Sequence, residues 1–246
     1  MASRSLNTQF CADPATFLRA HSVRWAGGGP ADQKNITVVM MDDQARKARY
    51  RTSLLKVKKD AAALKWMWTE NPVDQPPVGL DSFDVIWSGY KAGAVRHARL
   101  PAGMDGPNIM LTPEFSGCTA ACRTNADGTA EFSHYNMKTE DDKSTLPDDE
   151  VIAHAANHYG GGQSTLTKTD YRGKAVHLSD PAKPELGGIV NATIVGFRRS
   201  GNWEFWVQYN ESKFDPALVT VIEAGKKRKK PIGVRWHIRG VEKLRN

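Results

Sequence analysis

The stretch Cys118-Thr119-Ala120-Ala121-Cys122-Arg123, then Thr124-Asn125-Ala126-Asp127-Gly128, then Thr129-Ala130-Glu131-Phe132-Ser133-His134 decides the fold. The Asp-Gly pair supplies the positive φ of a tight reversal, and both flanks have strand composition, so the segment reads as a β-hairpin. Hairpins build antiparallel sheets, and working outward from this one yields more short strands. Residues 83–87, 94–100 and 108–111 precede it, and 188–198 and 202–209 follow, the last two joined by Ser200-Gly201. Within 202–209 the residues Trp203, Phe205, Val207 and Tyr209 share one face by the period of two. Residues 218–222 and 232–238 are further strand candidates, and 36–41 read as a buried strand.

Helices are fewer. Residues 14–24 have helical character, 60–68 read as an Ala- and Leu-rich helix, and 71–79 must be a loop because of Pro72, Pro76 and Pro77. After a polar, exposed stretch at 139–143, Pro147-Asp148-Asp149-Glu150 opens a helix with Thr145 or Leu146 near its cap, and Gly160-Gly161-Gly162 ends it. Many strands, few helices and no regular βαβ alternation predict an α+β fold. The expectation is one domain over 1–246, a largely antiparallel β-sandwich-like core with flanking helices, with 1–30 as a loosely attached N-terminal segment.

The chain is 40% hydrophobic and 25% charged, a globular composition that excludes a largely disordered chain. No run approaches the roughly 18 consecutive apolar residues of a membrane span. Met1-Ala2-Ser3-Arg4-Ser5 leads into Asn7, Thr8 and Gln9, so no Sec-type signal peptide is read. Three cysteines do not make a disulfide framework. Cys118 and Cys122, on one face of one strand, would stand about 13 Å apart, too far to bridge. Reduced thiols are expected. The net charge of +7 owes much to Lys226-Lys227-Arg228-Lys229-Lys230, which reads as a solvated turn, or else as a nuclear-import or anionic-surface patch.

The chemistry sits at the open end of the hairpin. Ser116-Gly117 lets the backbone turn sharply into Cys118, and His134 ends the returning strand. Counting back from Asp127-Gly128 makes Cys118 and His134 direct cross-strand neighbours, with Cβ atoms about 5 Å apart. An imidazole within hydrogen-bond reach lowers a thiol pKa and shuttles its proton. The same residue types also occur as a buried cysteine and a packing histidine.

The segment from Leu111 to Tyr135 resembles the active-site hairpin of the cytotoxic necrotizing factor catalytic domains, the Burkholderia lethal factor and the bacterial chemoreceptor glutamine deamidases. Their pattern is a Thr, six residues on a Cys in a Ser/Gly-rich turn, then a His at the end of the next strand. Here Thr112 precedes Phe115-Ser116-Gly117-Cys118, and His134 follows, with Phe115 in place of the commoner Leu. The resemblance implies a sandwich-like α/β fold and a cysteine-dependent protein-glutamine deamidase, with transglutamination as a variant chemistry. Cys118 would be the nucleophile, His134 the base and Thr112 the residue that orients it. Backbone N–H groups around Cys118, in the Ser116-Gly117 turn, would hold the oxyanion, and no cofactor or metal is required. The partner would be a protein carrying a reactive glutamine, such as a small GTPase or a translation factor. Together with the missing Sec signal and the basic surface, the likeness to toxin domains suggests a secreted effector acting in a host cytoplasm. The bacterial cytoplasm is the alternative.

Two other readings compete. His154 and His158 share a helix face at i, i+4 and suit a metal-dependent hydrolase, with Asp148, Asp149 or His177 as a third ligand. The Glu that follows the first His in a metalloprotease helix is Ala155 here. Alternatively, strand aromatics plus the basic run could form a non-enzymatic nucleic-acid platform.

Overall fold

The computed structural model describes residues 5–23, 31–38, 83–103, 105–139, 144–174, 190–214 and 234–245. Within them the chain forms α1 (Leu6–Ala12), α2 (Pro14–Ala20), β1 (Lys34–Val38), β2 (Phe83–Trp87), β3 (Val95–Leu100), β4 (Ile109–Leu111), β5 (Thr119–Thr124), β6 (Ala130–Tyr135), α3 (Asp148–Tyr159), β7 (Ser164–Leu166), α4 (Lys168–Arg172), β8 (Val190–Arg199), β9 (Asn202–Phe214) and β10 (Val234–Lys243). The helix expected at 60–68, the loop at 71–79, the strand at 218–222, His177 and the basic run lie outside the described residues.

The strands make a six-stranded sheet, β1-β2-β4-β8-β9-β10, and a four-stranded sheet, β3-β6-β5-β7. The described pairings are antiparallel except β2 with β4. The period of two distributes side chains into layers. Ile86, Met110, Ile194, Phe205 and Val207 of the large sheet meet Ala98, Ala120, Cys122 and Phe132 of the small one, forming the core between the sheets. Val85, Trp87, Ile109, Leu111, Val195 and Phe197 point the other way, onto α1 and α2. Ala121 and Tyr135 on the outer face of the small sheet meet Val151, Ala155 and Tyr159 of α3. The fold is therefore an α+β sandwich with helices against both outer faces.

Local sequence sets the joints. Ser200 (φ 50) and Gly201 (φ 82) form the primed turn that suits the twist between β8 and β9. Helix α3 carries Asp148, Asp149 and Glu150 in its first turn and ends on Gly160 in the left-handed conformation. Trp203, Phe205, Val207 and Tyr209 do share a face, and it is the buried inner one. That aromatic row is packed against the other sheet and is not offered to nucleic-acid bases.

The N-terminal segment departs from expectation. Residues 5–23, instead of hanging loosely, cover the large sheet, with Phe10 and Leu18 fully buried. The Gln208 side chain, rising from β9, accepts from Val23 N at 2.8 Å and donates to His21 O at 2.7 Å and to Leu18 O. This docking predicts that Phe10→Ala lowers unfolding stability by about 3–5 kcal/mol, as for other buried Phe truncations. Urea unfolding checks it, and a loss near zero would restore the loosely attached segment.

Candidate active site

The hairpin loop is tighter than the sequence count. Asn125 N donates to Thr129 O at 2.8 Å and Gly128 N to Asn125 O at 3.0 Å, leaving Ala126-Asp127-Gly128 as a three-residue loop with Gly128 at φ 83. This is the turn-plus-glycine geometry of three-residue hairpins. The ladder therefore pairs Ala120 with His134 and Thr119 with Tyr135. Carried one residue further, the register sets Cys118 against Asn136. Cys118 and His134 are thus not directly opposed. They are diagonal neighbours on one face, a relationship that separates such residues by roughly 7–8 Å between backbones and less between side chains.

That face is the inner one, and His134 is 1% exposed there. Its ring stacks on Phe115 at 4.0 Å and 18°, and Tyr90 meets it edge-on at 5.1 Å. Thr112, just beyond β4 in the other sheet and fully buried, places Oγ1 3.1 Å from His134 Nδ1. The structure so brings together Thr112 and His134, which come from different sheets. His134 Nε2 is buried and makes no hydrogen bond among the described residues, so the resting site has no bond from it to Cys118.

Cys118 is 8% exposed at the edge of the sandwich core. The preceding turn is pinned at Phe115, whose N–H and C=O bond Ala192 at 2.8 and 2.9 Å. Beyond that anchor Ser116 is exposed and Gly117 half-buried, and the Ser116 carbonyl accepts from Arg172 Nη2 at 3.4 Å. Tyr171 donates its hydroxyl to the Cys118 carbonyl at 3.1 Å. On the solvent side stands Tyr90, 38% exposed, with its hydroxyl accepting from Asn136 Nδ2 at 2.8 Å. Burial raises the Tyr90 phenol pKa and the neighbouring Cys118 sulfur raises it further, while Lys138 opposes both.

Sequence reasoning missed Ser88, Tyr90, Asn136 and Tyr171. The signal available for the first two was a polar break after the apolar run ending at Trp87, followed by Gly89. No side chain fits at Gly89, because a Cβ there would stand 2.1 Å from Ala31 O. This close approach fixes the chain between Ser88 and Tyr90.

The electrostatics differ from the expected activated thiolate. Burial pushes the Cys118 thiol from its ordinary 9.0 up to about 12, and holds the His134 imidazole down from 6.5 to about 3. Among the described residues no cation offsets the desolvation, so the resting pair is a neutral thiol and a neutral imidazole. All three cysteines are free, Cys11 exposed and Cys122 buried.

The histidines at 154 and 158 serve elsewhere. Both are exposed on α3; His158 stacks on His97 at 3.9 Å and lies 3.9 Å from Glu131 Oε2. Among the described residues no group of three His, Cys, Asp or Glu is placed to hold a metal ion. A cleft of about 510 Å³ opens at the far end of β4 from Thr112, lined by Cys11, Asp84, Asn108, Phe197 and Arg199 among others. It is remote from Cys118, which is itself buried near Tyr90. No described helix is long and apolar enough to cross a membrane.

No protein-family model matches this chain, and no curated protein sequence matches it.

Two predictions follow from burial. A histidine whose folded pKa is depressed contributes stability above its unfolded value, and that stability is lost as pH falls from about 6.5 toward about 3. His134→Gln should therefore flatten the acid limb of unfolding stability against pH by about 1.4 kcal/mol per unit. An unchanged limb would mean that His134 is not buried neutral. Separately, a small alkylating reagent should label Cys11 first, Cys118 slowly and Cys122 not at all. Tyr90→Ala should speed labelling of Cys118 selectively, and an unchanged Cys118 rate would show that Tyr90 is not the cover.

Proposed function

We propose that the chain is a cysteine-dependent hydrolase that deamidates glutamine side chains of a protein partner, with Cys118 as nucleophile, His134 as base and Thr112 as its orienting residue. The observation that carries this reading is the Thr112–His134 contact at 3.1 Å, which leaves Nε2 unpaired on the face that Cys118 shares. A histidine kept for packing alone would strand a buried polar nitrogen for no return. The likeness of Thr112, Ser116-Gly117-Cys118 and His134 to the deamidase hairpin adds the substrate class.

Since the resting thiol is neutral, the proton moves as the bond forms. Cys118 Sγ attacks the amide carbon while its hydrogen passes to His134 Nε2, and burial favours this concerted transfer over a standing ion pair. The backbone N–H groups of Ser116 and Gly117 have no acceptor among the described residues, so they are available to the oxyanion. Collapse breaks the carbon–nitrogen bond, and the imidazolium gives its proton to the departing amine, releasing ammonia and leaving a thioester. Water, losing a proton to Nε2, attacks the thioester. The second collapse forms the glutamate carboxyl and returns the proton to sulfur. An amine in place of water gives transglutamination. Tyr90 must swing aside for a glutamine to enter, an opening that a docking protein surface could drive.

The partner in this reading is a folded host protein, such as a small GTPase or translation factor, met by a secreted effector in the host cytoplasm; the bacterial cytoplasm is the alternative site. The test pairs Cys118→Ser with wild type. The swap changes side-chain volume little, so the melt should move by about a kilocalorie or less. Conversion of amide to acid, read as the mass increase of partner proteins in cells expressing each form, should disappear. Full conversion by Cys118→Ser would remove Cys118 from the mechanism.

A further inference from the structure

A neutral imidazole carries a single N–H, and which nitrogen holds it decides what His134 can do. The Thr112 hydroxyl beside Nδ1 can donate or accept. If it donates, the hydrogen of His134 sits on Nε2, and that nitrogen cannot receive a proton from Cys118. The reaction needs the reverse, with Nδ1–H donated to a lone pair of Thr112 and Nε2 bare. Thr112 must then send its own hydrogen elsewhere, and among the described residues it has no other bonded partner.

Ser88 stands where that hydrogen can go. Strands β2 and β4 run parallel with Trp87 beside Leu111, and Ser88 N donates to Leu111 O at 2.8 Å, so Ser88 lies beside Thr112. Alternation carries Ser88 to the inner face with Ile86, as it carries Thr112 there with Met110. Ser88 is fully buried, and its Oγ has no hydrogen-bond partner among the described residues. A buried hydroxyl left without a partner is costly, so its presence calls for a bond that it can make.

We propose that Ser88 is a positioning residue whose Oγ accepts the Thr112 hydrogen, so that Thr112 accepts Nδ1–H and His134 keeps Nε2 open toward Cys118. The inference rests on reading Cys118 and His134 as nucleophile and base. Turning the Ser88 hydroxyl toward Thr112 Oγ1 completes the relay while the Thr112–His134 contact is kept.

The test reads the proton directly. In 15N-labelled full-length protein, long-range proton–nitrogen correlations of His134 should show hydrogen on Nδ1 in wild type and a shift toward Nε2 in Ser88→Ala. The melt of Ser88→Ala should be slightly lower, because the change leaves the buried Thr112 hydroxyl without its acceptor. In a Thr112→Val background the same Ser88→Ala change should have no further effect on the tautomer, because Ser88 acts through Thr112. With a deamidation substrate, Ser88→Ala should lower kcat by roughly tenfold or more with KM little changed, less than the ~10⁴-fold that a fully wrong tautomer costs in a serine-protease triad. Hydrogen on Nε2 in wild type, an unmoved tautomer in Ser88→Ala, or an added effect in Thr112→Val would each overturn the proposal. A wild type that deamidates nothing yet shows the tautomer response would instead overturn the proposed function.

Discussion

Two sheets bury their inner faces against each other, and at one end of that apolar interface lies an imidazole. His134 occupies a position where the flanking inner-face residues Ala120 and Phe132 belong to the core, and it is reached from the opposite sheet by the Thr112 hydroxyl. The contact requires the sandwich to be in register. A one-residue slip of β6 would turn every side chain to the other face and move His134 toward α3. Phe115, bonded to Ala192 and stacked on the ring, ties the turn before Cys118 to the same imidazole. The candidate chemistry thus depends on packing between the sheets rather than on any one loop.

Burial has two consequences that pull in opposite directions. It fixes the ring between Phe115 and Tyr90, the preorganisation a base needs. It also keeps the thiol and imidazole neutral and shields both from solvent. In the proposed deamidase such a site would be quiet toward small reagents until a docking partner displaced Tyr90.

The fold class was legible because its signals are local. Asp127-Gly128, Ser200-Gly201, the Pro147 start and the Gly160 stop each act within a few residues, and alternation in 203–209 marked the inner face. What stayed hidden depends on distant pairing. The hairpin register was two positions off because Asp127-Gly128 closes a three-residue loop, and no composition rule separates that from a longer one. The three-residue β7 and five-residue α4 carry too little periodicity to be seen. The N-terminal docking turns on Gln208, far along the chain from Val23. At the site, Cys118, His134 and Thr112 were readable as a pattern, whereas Ser88 and Tyr90 enter only through the parallel β2–β4 pair and the stacking on His134. The thiol pKa was misjudged since it follows burial, which a spacing argument does not contain.

The most direct test of the central claim is a peptide map of the chain after treatment with a glutamine-shaped electrophile, such as a peptide bearing a diazoketone in place of the side-chain amide. The account predicts a covalent adduct on Cys118 that is lost in His134→Ala, with the more exposed Cys11 left largely unmodified. An adduct confined to Cys11, or one on Cys118 indifferent to His134, would contradict it.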